Sequence, residues 1–345
     1  MTEGGDGLVI PDGGFTPAPT IAQPNIFPME WPGAGRGQLA EIYERSKLQQ
    51  WNPSDLPWGD LDPDVFTPEQ RIGMMYWFAV LANFDASGPP VFGQAMVHAY
   101  EHHQEDPVRK CFFSIARDEV NHEETCGRAI RALVPGGPLG FEPKTDLERA
   151  AHNNIAWLYH NGGRYWNGYS AALGKYPMAV LFTSFMMGEV ASSTLFKSMA
   201  DHTTHPVFRQ LFTNIGRDES RHLAICLQLL DKDWPGLDDD LKPLVTRQLR
   251  AGFVFLSMIL WEPPDQFWEV PGYFLPNHRV LMNHAREAGL GVLSYEEQAE
   301  NWRLAMGRVA KIVERWGIAF PAIPELDVAG VEVGDIALED IIPVF

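Results

Sequence analysis

Two stretches of the chain repeat one pattern of chemistry-bearing residues, FFSIARDEVNHEETC at 112–126 and FTNIGRDESRHLAIC at 212–226. They share Phe, Ile, Arg-Asp-Glu, His and Cys in the same register, 100 residues apart. Counted from Glu119 and Glu219, the shared apolar and ligating residues recur every three to four positions, which is one stripe of an α-helix. Glu119 and His122 therefore face the same way as Phe112, Ile115 and Cys126. Glu219 and His222 face the same way as Phe212, Ile215 and Cys226. A buried ionised carboxylate beside an imidazole is costly unless something pairs with it, and a divalent metal is the strongest partner available. A single Glu-x-x-His usually marks a solvated face; two copies in matching apolar context point to metal.

Two Glu-x-x-His helices facing each other, with one more carboxylate from each of two further helices, make the dinuclear iron or manganese site of ferritin-like bundles. One of these acids is Glu189, alone in the apolar stretch LFTSFMMGEVASSTLF and accompanied by Phe182, Phe185, Met186 and Phe196. For the other, Asp85 closes a stripe containing Met74, Phe78 and Leu81, and it precedes Glu119 by about the length that separates Glu189 from Glu219. Glu101 is the rival. It sits much nearer the Asp106-Pro107 break than Glu119 does, so the two would lie at different depths in an antiparallel pair. Asp85 is preferred.

The adjacent acids Asp118 and Asp218 are expected to accept the free N–H of the histidine on the opposite helix, as metal-bound imidazoles require. Arg117 and Arg217 either pair with them or are solvated. Phe78, Leu81, Phe112, Ile115, Cys126, Phe182, Phe185, Met186, Phe196, Phe212 and Ile215 form the expected apolar substrate pocket. His102, His103, Glu123 and Glu124 read as a solvated run.

The elements that must position these residues are helices separated by breakers. Helical patterns cover about 67–85, a piece to 105, 107–131, 146–173, 177–201, 205–231, 240–262 and 295–317. Strand-like alternation is nearly absent before residue 320. The expected architecture is all-α: an extended Gly/Pro-rich arm over 1–60, a ferritin-like helical bundle over 61–320 with extra helices, and a tail over 321–345.

Composition narrows the function. A formal charge of −18 and a pI near 5.0 repel nucleic acid and anionic membrane surfaces. Cys111, Cys126 and Cys226 form no Cys-x-x-Cys pair and no disulfide framework. The start MTEGGDGLVIPDGG lacks the basic and apolar regions of a signal peptide, and GFVFLSMILW is about half the length that spans a bilayer. A cytoplasmic homodimer without nucleic-acid or membrane partners is expected.

The pattern Asp-Glu-x-x-His-x-x-x-Cys at 118–126, with Asp-Glu-x-Arg-His at 218–222, resembles the hydroxylase α-subunits of bacterial multicomponent monooxygenases such as soluble methane monooxygenase. These belong to the ferritin-like, ribonucleotide-reductase-like superfamily, and the likeness covers about residues 67–231. The arm segment YERSKLQQWNPSDLPW also resembles the start of such folds. The resemblance implies two irons, with a mixed Mn/Fe pair as the variant, bridged by oxygen or carboxylate and using O₂. It also implies a catalytic hydroxyl at Ser193, where these enzymes carry Thr. Asn121 departs from the family's Arg, Asp85 stands in place of Glu, and the chain is much shorter. Its length is comparable to the superfamily's desaturases, N-oxygenases and ligand-binding oxidases. Cys126 occupies the position of the radical tyrosine of ribonucleotide reductase small subunits.

Carboxylate- and imidazole-bound iron with open positions can reduce O₂, and Phe and Met walls can hold an apolar substrate against the oxidant. With no Rossmann glycine fingerprint and no cysteine cluster, electrons must come from a separate reductase or ferredoxin. The expected function is hydroxylation of a small apolar or aromatic molecule. N-oxygenation and desaturation are alternatives, and so, in other classes, are iron storage and metal-stabilised ligand binding.

Overall fold

The computed structural model describes residues 2–3, 9–10, 37–172, 175–262 and 277–334. Most of the expected arm and the end of the tail lie outside the described residues. Ten helices are described in chain order: α1 Gln38–Leu48, α2 Pro68–Asp85, α3 Gly88–Glu101, α4 Asp106–Leu133, α5 Asp146–Ala172, α6 Met178–His202, α7 Pro206–Asp233, α8 Lys242–Leu260, α9 His278–Glu287 and α10 Tyr295–Glu314.

Local chemistry sets the helix starts. Thr67 and Gln70 cap α2 reciprocally, and Pro68 supplies a preset φ in the first turn. Ser294 and Glu297 do the same for α10. The repeat extends beyond the stripe, because α4 and α7 are each 28 residues long and each carries Pro in its first turn.

The core is a bundle of α2, α4, α6 and α7, built from an α2–α4 pair and an α6–α7 pair that meet where α4 packs on α7. Around it, α3 covers α4, α5 and α9 flank α2, and α8 and α10 flank α6. α6 is long and apolar enough to cross a bilayer by length and composition alone, yet most of its apolar surface is buried inside the bundle.

Two elements differ from the sequence expectation. Within the stretch expected to be an extended arm, α1 is a helix lying across both α4 and α7. Its apolar stripe is short: Ile42 is buried, and Leu39 and Tyr43 are partly buried against the core. α9, also unanticipated, is strongly polar in composition and buries His278, Leu281, Met282 and Ala285. The described part of the tail packs on the body: Ile323 and Leu326 are buried, and Arg250 of α8 makes a two-pronged ion pair with Glu325 at 2.8 and 2.5 Å.

Tyr76 of α2 and His278 of α9 join through a 2.5 Å hydrogen bond between the phenol oxygen and Nδ1. His278 is fully buried, and burial drives its imidazole down to about 4. In the unfolded chain it titrates near 6.5. A depressed histidine stabilises the fold above the unfolded value and loses that contribution as pH falls toward the folded one. The loss between about pH 6.5 and 4 is on the order of 3 kcal/mol. Denaturant midpoints at pH 7 and pH 4.5 should therefore fall further in the parent protein than in His278→Gln; equal falls would exclude this linkage.

Candidate metal centre

Six buried side chains converge between the two helix pairs: Asp85 from the last turn of α2, Glu119 and His122 from α4, Glu189 from α6, and Glu219 and His222 from α7. They form two overlapping groups, Asp85/Glu119/His122/Glu219 and Glu119/Glu189/Glu219/His222. The ligating atoms within each group lie within 4.8 Å of one another. Glu119 and Glu219 belong to both groups, so each would be within reach of both ions. The structure brings Asp85 into the cluster, whereas Glu101 stands exposed near the end of α3. His102, His103, Glu123 and Glu124 are exposed too.

The imidazoles present their two nitrogens to different partners. His122 Nδ1 lies 3.3 Å from Glu219 and 3.7 Å from Glu119; His222 Nδ1 lies 3.3 Å from Glu119, 3.8 Å from Glu189 and 4.0 Å from Glu219. On the far side, His122 Nε2 lies 3.4 Å from Asp218, and His222 Nε2 lies 3.4 Å from Asp118. Each helix thus supplies the acid that orients the other helix's histidine.

Asp118 and Asp218 are tied together by Arg221, whose Nη2 donates to both at 2.7 Å. Arg117 adds a 2.7 Å bond to Asp118, and the Trp51 indole donates to Asp218 at 2.7 Å. Arg217 is 3.7 Å from Asp218 and bonds mainly to the Gln49 carbonyl. Asn121, in the place corresponding to Arg221, donates instead to the Trp51 carbonyl.

Inside the cluster, four buried polar atoms have no hydrogen-bond partner: Asp85 Oδ2, Glu189 Oε2, His122 Nδ1 and His222 Nδ1. All belong to the converging set. Orphaned buried polar atoms are rare, and inward-facing oxygen and imidazole nitrogen donors are the donors that iron and manganese accept. The residues present fit a dinuclear metal site.

Charge balance gives the same answer. Burial, followed by neighbouring carboxylates, pushes Asp85 and Glu189 well above the usual range. For Glu219, burial is overcome by the His122 hydrogen bond and both imidazolium charges, which pull it down to about 2. For His122 and His222, burial is overcome by bonds to Asp218 and Asp118 and then by the glutamates, so both are raised well above normal. Metal ions must displace those protons. Binding should therefore release protons, and apparent affinity should climb with pH. Calorimetry in buffers of different ionisation enthalpy measures this, and a buffer-independent heat would rule it out.

A cavity of about 80 Å³ opens against the cluster, with Asp85, Glu119, Glu189 and Glu219 in its wall. Of the residues expected to line it, Leu81, Phe185 and Phe196 do. Phe78, Phe112, Ile115, Cys126, Phe182, Met186, Phe212 and Ile215 do not; all are fully or nearly fully buried in the bundle core, packing helix against helix. The remaining apolar wall comes from Phe84, Phe92, Met187 and from α8, through Phe255, Leu256 and Leu260.

Ser193 is likewise displaced from its expected role. Its hydroxyl returns to the Val190 carbonyl at 3.2 Å, and its side chain faces a surface cleft. One residue along a helix is a rotation of about 100°. Ser192 faces the cavity instead and donates to Glu219 Oε2 at 2.8 Å. Gly88 is required by close approach: a Cβ there would lie 2.3 Å from Glu119 Cγ.

No protein-family model matches the sequence, and no curated protein matches it. Solved structures do. Two variants of an R2-like ligand-binding oxidase with an aerobically reconstituted Mn/Fe cofactor are similar to this chain at 16% identity, with TM-scores of 0.51 and 0.52. The alignments cover 80% of this chain and 97% and 94% of theirs. The chain has the ferritin-like, R2-like helical fold, with a buried carboxylate and histidine cluster suited to two metal ions at its centre.

Proposed function

We propose that the protein is an O₂-dependent dinuclear-metal oxidase that hydroxylates a small, largely apolar or aromatic molecule with electrons from a separate reductase or ferredoxin. The observation that carries this reading is the cavity wall, in which the shared carboxylates Glu119 and Glu219 stand opposite phenylalanine and leucine side chains. The similar solved structures are oxidases with Mn/Fe, which supports two irons or a mixed pair in these ligands.

When bound, such an ion pair supplies two-electron chemistry with O₂. The chain's own residues do the rest. Asp118 and Asp218 hold the imidazoles with Nδ1 inward. Ser192 holds one oxygen of Glu219. Phe185, Phe196 and Leu256 exclude water from the chamber and place a C–H bond beside the cluster. The balance is one C–H bond, O₂, two electrons and two protons giving one C–OH bond and water.

Iron-loaded protein, given ¹⁸O₂, a reductant and a panel of alkylbenzenes and alkanes, should yield a product carrying one labelled oxygen. Oxygen uptake that only oxidises iron, with no labelled product across the panel, would assign a ferroxidase instead.

A further inference from the structure

The chamber beside the cluster is not isolated. A second, apolar cavity of about 40 Å³ lies between α6, α9 and α10, with Trp77, Met282, Trp302 and Ala305 in its wall. Leu195 of α6 and Leu260 at the end of α8 belong to the walls of both spaces. On its other side, Thr194, Ser198, Leu293 and Asn301 are shared with an open surface cleft of about 880 Å³. Metal chamber, second cavity and surface cleft thus follow one another around α6, each sharing wall residues with the next. The run ASSTLF explains the spaces, because small residues at 191–194 leave α6 unable to fill its contact with α10.

Volume sets what the chamber can hold. A water needs about 10–15 Å³ of such space, so the metal chamber takes at most on the order of six non-hydrogen atoms and the second cavity about three more. A benzene-sized group fills the chamber, and anything longer must pass between Leu195 and Leu260. The cleft at the outer end carries Asp201, Glu296, Glu297 and Glu300 against Lys197 and Arg308. That excess of carboxylates disfavours an anionic ligand.

We propose that the three spaces form one substrate tunnel, that its occupant is an uncharged molecule with an apolar arm extending from the ring-sized group at the metals, and that Leu195 and Leu260 set how long that arm can be. This rests on reading the chamber as an apolar substrate site.

The test uses metal-loaded protein under anaerobic conditions, titrated with benzene and with n-propylbenzene by calorimetry. Wild type binds both. Ala305→Leu fills the second cavity from α10, far from the ligands, and should weaken n-propylbenzene at least ten-fold while leaving benzene within two-fold. Leu260→Ala widens the passage and should tighten n-propylbenzene relative to benzene. Two metal ions in every variant show that the cluster is intact. If neither variant changes the ratio of the two affinities, the tunnel is overturned while the chamber stands. If wild type with both metals binds no benzene, the chamber reading falls and takes the tunnel with it.

Discussion

Asp85→Ala is expected to retain about one metal ion per chain after dialysis, and Glu101→Ala the full two. Asp85 reaches the cluster from the end of α2, within 4.8 Å of the ligating atoms of Glu119, His122 and Glu219, and one of its oxygens is buried without a partner. Glu101 is exposed at the end of α3. His122→Ala and His222→Ala each remove the only imidazole of one group, so each should also lose one ion or more. Loss of even the outer partner of a ligand typically costs ten- to hundred-fold in affinity, and loss of the ligand costs more. Metal counting by plasma emission decides. Two ions retained in both histidine variants would refute the site, and metal lost from Glu101→Ala but not Asp85→Ala would reassign the carboxylate.

Arg221→Met should be strongly destabilising. Arg221 is 5% exposed and sits between Asp118 and Asp218, themselves 2% and 0% exposed. Removing one partner from a buried charge network leaves carboxylates uncompensated and costs about 3–5 kcal/mol. Arg117 and Trp51 keep part of the network satisfied, which favours the lower end of that range. Arg217→Met is the control, since that side chain is partly exposed and stands 3.7 Å from Asp218; it should cost under about 1 kcal/mol. Denaturant melts of the metal-free proteins separate the two, and equal losses would deny Arg221 its central place.

What could be read in the sequence was whatever repeats along one helix. The stripe of Glu119, His122, Glu219 and His222 fixes their common direction without reference to any other element, and Glu189 stands out as the lone acid in an apolar helix. The crossed acids Asp118 and Asp218 followed from histidine chemistry. The cavity wall did not follow. It depends on which side of α6 meets α8, a contact between elements some 60 residues apart, and Phe255, Leu256 and Leu260 look like any core residues. Ser192 and Ser193 are equivalent in composition and differ only by their rotation about α6. Arg221 was visible as a motif position, but its bridging of two aspartates appears only when α4 and α7 are brought together. The polar helix α1 offers only the short stripe of Leu39, Ile42 and Tyr43.

The crossed pairing of histidines and aspartates also makes the site a check on assembly. Neither α4 nor α7 can orient its own imidazole, because the acid each histidine needs rides on the other helix. A slip of one residue between the two helices would leave both histidines without their acids at the same moment, and a fragment ending before residue 206 would leave His122 without Asp218. Correct mating of the two halves of the chain and formation of the metal site are thus a single event, and metal uptake during refolding reports that the halves have met in register.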